Sequence, residues 1–170
     1  AAQDGRDERL QDAADERADA GRWDAAFAAL AESPDVDELI LSGGDPLSLS
    51  NRRLGELLRR AQAVQQLRRL RIHTRNAIVL PSRVDAGLVE LLAQSPLPVV
   101  VVVHINHPAE IDDAVRAALR RLREAGVTLL NQTVLLAGVN DAIETLVTLS
   151  KELFEAGALP YYLHAPDRVR

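Results

Sequence analysis

From Trp23 onward the hydrophobic positions of this chain switch repeatedly between two periods. Trp23, Ala26, Phe27 and Leu30 recur at helical spacing, and Ser33-Pro34 ends that run. Beyond it, short β-branched or leucine-rich runs occur at Glu38 to Leu41, Leu70 to His73, Val99 to His104, Val127 to Val134 and Leu159 to Leu163. The stretches between them place apolar residues three and four apart: Leu54, Leu57 and Leu58; Val84, Leu88, Leu91 and Leu92; Val115, Leu119 and Leu122; Ile143, Leu146, Val147, Ser150 and Phe154. Such spacing buries one face of a helix. Gly126 and Gly157 follow helices that end Arg-Glu-Ala and Phe-Glu-Ala, where a left-handed residue closes a helix. Each strand and helix together take about 30 residues, the length of a right-handed βαβ crossover. The pattern predicts a parallel α/β fold of five strand–helix units.

Doubly wound sheets and β/α barrels share this alternation, and Val99 to Val103 suits a strand buried on both faces in either. The polar residues favour the barrel. Asp45 follows the first strand; His73 and Arg75 close the second; His104, Asn106 and His107 close the third; Asn131 and Gln132 lie in the fourth; His164 and Asp167 follow the fifth. All 4 histidines fall at strand C-terminal ends. In a barrel those ends converge on one mouth, whereas an open sheet spreads them along a line. Closure takes about eight strands. A partial (β/α) barrel is therefore expected, with open edges that predict aggregation or dimerisation, a homo-oligomer, if the piece is made alone.

Composition narrows the function classes. The chain has 170 residues, 47% hydrophobic and 26% charged, the size and balance of one ordinary domain. No apolar run approaches the ~18 residues of a membrane span and no basic stretch leads into an apolar leader, so no membrane role is expected. With 0 Cys, the chain itself forms no disulfide, thiolate zinc site or iron–sulfur ligation. A net charge of -5 opposes a nucleic-acid partner. These features read as a reduced, cytoplasmic domain. Residues 1–22 carry seven acids against four Arg, with Leu10 the only large aliphatic, and read as an acidic solvated linker or helix start before a folded unit at 23–170.

Three chemistries suit the strand-end residues. His73, His104, His107 and His164, with Asp45 or Asp167, offer imidazole and carboxylate ligands for Zn²⁺ or Mn²⁺, as a metal-dependent barrel hydrolase would. Ser42-Gly43-Gly44-Asp45 offers a small molecule close approach to backbone N–H groups, with Asp45 accepting from an ammonium; the plainer alternative is a tight turn capped by Asp45. Thirdly, strand-end His and Asn can simply satisfy neighbouring carbonyls. The Arg clusters at 59–60, 68–71 and 120–123 are interleaved with leucines and read as solvated helix faces.

Five blocks at these strand ends occur in order: Leu41-Ser-Gly-Gly-Asp-Pro-Leu47; Leu70-Arg-Ile-His-Thr-Arg75 with Val79-Leu-Pro-Ser-Arg-Val84; His104-Ile-Asn-His-Pro-Ala-Glu110; Gly126-Val-Thr-Leu-Leu-Asn-Gln132 with Gly138-Val-Asn-Asp141; and Leu159-Pro-Tyr-Tyr-Leu-His164. Together they closely resemble the radical S-adenosylmethionine lysine 2,3-aminomutase family, most of all its elongation factor P β-lysylation branch, from Gly21 to the C-terminus. The resemblance implies a partial (β/α)6 barrel. It further implies S-adenosylmethionine, a [4Fe–4S] cluster and pyridoxal phosphate as cofactors, with free lysine or a lysine of elongation factor P as substrate. Ser42, Gly43, Gly44 and Asp45 match the motif that holds the methionine amino group. His104 and Gln132 match positions lining the same cofactor, His164 a ring beside the pyridoxal, and Asp167 a carboxylate that binds the substrate's ε-ammonium. The family's three-cysteine loop and its pyridoxal lysine segment have no counterpart here. The expectation is a fragment of an isomerase, inert by itself and without a catalytic residue of its own; a degenerate or engineered barrel module is the competing reading.

Overall fold

A computed structural model describes residues 23–165. Residues 23–31 form a helix, α1, followed by β1 (Glu38–Leu41), α2 (Asn51–Gln62), β2 (Arg69–Thr74), the short α3 (Asn76–Val79), α4 (Ala86–Ala93), β3 (Val99–His104), α5 (Asp113–Glu124), β4 (Thr128–Val134), α6 (Ile143–Ala156) and β5 (Leu159–His164). Local chemistry sets the helix ends. Ser50, Asp85 and Asp112 each accept the N–H three residues on at the starts of α2, α4 and α5, satisfying one of the donors a helix start leaves free. Gly157, at φ 80, closes α6 in the left-handed conformation. Val127, expected in the fourth strand, instead donates its N–H to Leu122 O at 3.2 Å and finishes α5.

All strands are parallel and stand in sequence order, β1-β2-β3-β4-β5. That order decides between the two expected architectures. A doubly wound sheet reverses its strand order to put helices on both faces; here every crossover steps the same way, so every helix lands on one face. The core has that composition. Leu70 and Ile72, Val99, Val101 and Val103, and Leu129 share one buried cluster with Leu54 and Leu58 of α2, Leu88 and Leu92 of α4, Leu119 and Leu122 of α5, and Leu149 and Leu153 of α6.

The alternate strand residues face the other way: Glu38 and Ile40, Arg71 and His73, Val100 and Val102, His104, Leu130 and Gln132. Here the sheet curls. Arg71 on β2 donates to the Tyr161 hydroxyl on β5 at 3.3 Å, bypassing β3 and β4, although three strand spacings in a flat sheet amount to about 14 Å. Tyr161 reaches inward because the β4–β5 register slips between Asn131 and Gln132, the re-aiming that a bulge produces. Glu38 holds Arg71 from the β1 side with contacts of 2.8 and 3.0 Å. Val102, central on this face, has 0% exposure although it lies outside the helix-side core. The fold is thus a partial β/α barrel, with β1 and β5 as its two edges among the described residues.

One helix turns a different face inward from the one its spacing suggests. Ile143 and Phe154 on α6 are 75% and 62% exposed, and Leu149, Leu153 and Ala156 are buried instead. Apolar residues occur on both sides of α6, so periodicity could not choose between them.

Candidate functional site

The strand C-terminal ends form the mouth of the half-barrel, and a short loop builds each part of it. Ser42-Gly43-Gly44 leaves β1 with two successive positive φ angles, 84° at Gly43 and 57° at Gly44. A β-carbon at either glycine would meet nothing within 4 Å, so the space over this loop is open. These residues border a cavity of about 610 Å³ whose opposite wall is Trp23, Phe27 and Leu30 of α1.

Asp45 anchors the loop. One carboxylate oxygen accepts from Leu47 N at 2.9 Å and from the Thr74 hydroxyl at 2.7 Å. The other accepts from Arg75 N at 2.7 Å and Asn76 N at 2.9 Å. Burial pushes the carboxyl's pKa up, but the Thr74 hydroxyl and the three N–H groups together hold it below its ordinary value. The plainer alternative for Asp45 is seen in this geometry: the carboxylate caps the turn at Pro46–Ser48, and it also ties the end of β1 to the end of β2.

The next two loops are fastened in the same manner. Asn131, on the helix side of β4, accepts from Ile105 N at 2.9 Å and donates to Ile105 O at 3.0 Å. Asn140, fully buried, donates to Asn106 O at 2.7 Å and Val134 O at 2.9 Å. Asn106 in turn accepts from Val134 N at 2.8 Å. These asparagines hold the mouth from behind, and only the alternation of β4 distinguishes Asn131 from its neighbour Gln132, which faces inward.

Within the mouth, His104 and Gln132 are register partners on β3 and β4, and Tyr162 is the partner of Gln132 on β5. His73 meets His104 edge-on with ring centroids 5.7 Å apart. His164 stacks on Tyr162 at 5.1 Å. His104 Nε2 is buried with no hydrogen-bond partner among the described residues. Burial lowers the pKa of His104, with the Arg75 charge adding to it and Asp45 opposing; burial and the nearby His104 lower that of His73. Both imidazoles are therefore neutral at pH 7. The structure thus gathers Ser42, Gly43, Gly44, Asp45, His104, Gln132 and His164 at one mouth; Asp167 lies outside the described residues.

His107 does not join them. Its Nδ1 accepts from Ala109 N at 3.1 Å while Glu110 returns to the His107 N–H at 2.9 Å, a capping box around Pro108–Glu110. Among the described residues no three His, Asp or Glu side chains are placed to hold a metal ion. The four-histidine hydrolase reading loses its ligand set here. Sequence reasoning missed Thr74, Tyr162 and the Glu38–Arg71–Tyr161 group. An Arg and a Glu on adjacent strands were visible, but their meeting with β5 depends on the curl.

The chain is 49% identical over 148 residues to L-lysine 2,3-aminomutase of Escherichia coli, covering 87% of this chain. It is 45% identical over 148 residues to the enzyme of that name from Haemophilus influenzae, and 36% identical over 146 residues to that from Clostridium subterminale. Over this shared stretch, the chain is similar to enzymes of that name. It spans only 43% of the Escherichia coli relative and 35% of the Clostridium relative. No family model matches the sequence. The fold is similar to that of Streptococcus suis SuiB bound to S-adenosylmethionine, with a TM-score of 0.60 over 84% of this chain and 33% of that one, at 16% sequence identity.

The groups that the resemblance implies fit this chain unequally. The open glycine loop and the unpartnered His104 Nε2 suit a polar nucleoside ligand with an amino-acid head. A [4Fe–4S] cluster does not fit, since the sequence has 0 Cys. A covalently held pyridoxal does not fit either, because the single lysine, Lys151, is exposed on α6, away from the mouth. Among the described residues, no helix is long and apolar enough to cross a membrane.

Proposed function

We propose that this chain forms the S-adenosylmethionine-holding wall of a cytoplasmic lysine 2,3-aminomutase, an isomerase that moves the amino group of L-lysine from C2 to C3. The observation that carries this reading is the convergence of the Gly43-Gly44 loop, His104, Gln132 and His164 on one mouth, in a chain that shares its sequence with enzymes of that name. Bound at such a mouth, S-adenosylmethionine would supply carbon-centred radical chemistry. The residues of this chain would bind and orient it. Gly43 and Gly44 let the backbone approach its methionine end, because no side chain occupies that space. His104, neutral and unpartnered at Nε2, supplies one directed hydrogen bond, and Gln132 beside it supplies an amide. The stacked Tyr162 and His164 offer a flat shelf suited to a pyridine ring.

The ligands of the cluster and the lysine for a pyridoxal imine are absent from this sequence. In this reading they come from the remaining length of a full-size relative, and this chain alone is inactive. We assign the product, β-lysine, to the modification of elongation factor P, on the basis of the block-by-block resemblance to that branch.

The test is anaerobic incubation of the full-length polypeptide carrying this segment with iron, sulfide, pyridoxal phosphate, S-adenosylmethionine, a reductant and L-lysine. Mass spectrometry should find β-lysine. Intact S-adenosylmethionine binding without any β-lysine would replace the aminomutase with a binding module. Loss of the β-lysyl mass from elongation factor P on deleting the gene should follow; an unchanged mass would sever the link to that partner.

A further inference from the structure

On the concave face of the sheet, below the mouth, one group of side chains has no part in the ligand-binding reading: Glu38 on β1, Arg71 on β2 and Tyr161 on β5. The Glu38 and Arg71 side chains are 17% and 19% exposed, an ion pair largely withdrawn from water. Glu38 accepts from Arg71 Nε at 3.1 Å and from Nη2 at 2.8 Å, and Arg69 donates to the same carboxylate at 3.1 Å. So gripped, the guanidinium points its remaining nitrogen, Nη1, across the barrel to the Tyr161 hydroxyl at 3.3 Å. It also lies over the Tyr161 ring, 5.6 Å from the centroid. Among the described residues no other hydrogen bond or ion pair joins β1 or β2 to β5.

The contact runs on to the mouth. Tyr161 is the residue that the β4–β5 register passes over, and its ring meets that of Tyr162 edge-on with centroids 4.5 Å apart. Tyr162 in turn stacks on His164 and is the register partner of Gln132. A closed barrel fixes its curvature by pairing its last strand with its first, and the described sheet, β1 to β5, has no such pairing. The helix layer bends the sheet, because helices pack about 10 Å apart and strands about 4.8 Å apart. That mismatch does not set where the bending stops. The Arg71–Tyr161 contact does, since it cannot form unless β5 comes within reach of β2.

We propose that Arg71 and Tyr161 are positioning residues, a strut across the concave face that fixes how far β5 closes on β2 and so holds the Tyr162–His164 stack over the mouth. The strut is independent of any ligand; its effect on binding rests on the reading of the mouth as an S-adenosylmethionine site. A ligand that needs the closed curl loses affinity in proportion to the molecules that leave it.

The experiment has two arms. In the first, Arg59→Cys on α2 and Lys151→Cys on α6, both exposed positions in a chain with 0 Cys, carry spin labels whose separation is read by double electron–electron resonance. Tyr161→Phe, which removes the hydroxyl and keeps the ring, should lengthen and broaden the distance distribution. Arg71→Lys should do the same, because an ammonium opposite Glu38 lacks the fork that also reaches Tyr161. In the second arm, Tyr161→Phe in the full-length polypeptide should weaken equilibrium binding of S-adenosylmethionine about threefold to tenfold, the worth of one hydrogen bond. A pair that merely stabilises the fold would lower the unfolding midpoint and leave both readouts at parent values. Parent distances in Tyr161→Phe, or parent affinity in a polypeptide that binds the ligand, overturn the positioning role. Failure of the parent to bind overturns the site reading, and the distance arm still decides the strut.

Discussion

The two faces of this sheet are made from the same strands and do opposite work. On the helix side, Leu70, Ile72, Val101, Val103 and Leu129 are buried against four helices. On the other, Arg71, His73, His104 and Gln132 occupy the alternate positions and stay partly exposed. A strand's period of two sets this division residue by residue, and the one-directional winding makes it global by sending every helix to one side. The stabilising surface and the chemical surface can then vary separately. Asp45 is the exception, a mouth residue whose four hydrogen bonds also hold two loops together.

The largest contrast should come from truncating one residue on each face. Leu119, at 0% exposure in the core, should cost about 2–5 kcal/mol as Leu119→Ala. Gln132→Ala, across the sheet, should stay within about 0.5 kcal/mol. Urea unfolding of both variants gives the comparison, and equal losses would break it.

Asp45 should come next, because it belongs to both categories. Asp45→Ala removes bonds to a charged acceptor and should cost about 2–3 kcal/mol. Its folded pKa lies below the ordinary 3.8. The stability it supplies is therefore complete above that value and is lost as pH falls from there through the folded pKa. Unfolding curves collected from about pH 5 to about pH 2 should show this loss in the parent and a flatter profile in Asp45→Asn.

Two glycines sharpen the contrast further. Gly157, at φ 80, has the Arg123 side chain where a β-carbon would sit, whereas Gly43, at φ 84, has open space. Gly157→Ala should cost about 2 kcal/mol and Gly43→Ala about 1 kcal/mol, the backbone strain alone. Thermal melts rank the two, and the reverse ranking would contradict the open loop.

The smallest effect concerns the two facing imidazoles. His73 and His104 titrate below the ordinary 6.5, so the unfolded chain takes up their protons first. Stability is complete above 6.5 and declines slightly as pH falls through the folded values. Proton NMR titration of the ring C2–H signals should place both midpoints under 6.5; a midpoint above it would mean that the carboxylates Asp45 and Glu38, and not burial, dominate at these rings.

Much of this architecture was legible in the sequence, because alternation and strand-end chemistry are local properties. Val99 to His104 reads as a strand from its β-branched run, and the grouping of histidines at strand ends pointed to a barrel mouth. The buried face of α6 was not legible, since Ile143 and Phe154 compete with Leu149 and Leu153 for the same core. Nor was the role of His107, whose imidazole closes a turn with Glu110 instead of joining His104. Both outcomes depend on which surfaces meet in three dimensions. The Arg71–Tyr161 contact depends on them further, because it requires both the β5 bulge and the curl of the sheet.

The central claim, that the open face at the strand ends is a nucleoside-cofactor site, is tested most directly by NMR on the isotopically labelled chain titrated with S-adenosylmethionine. The amide signals of Gly43, Gly44, His104 and Gln132 should move together with one saturation curve, while those of Val101 and Leu129, whose side chains face the helices, stay fixed. Shifts confined to the helix layer, or none at the glycine loop at saturating ligand, would contradict it.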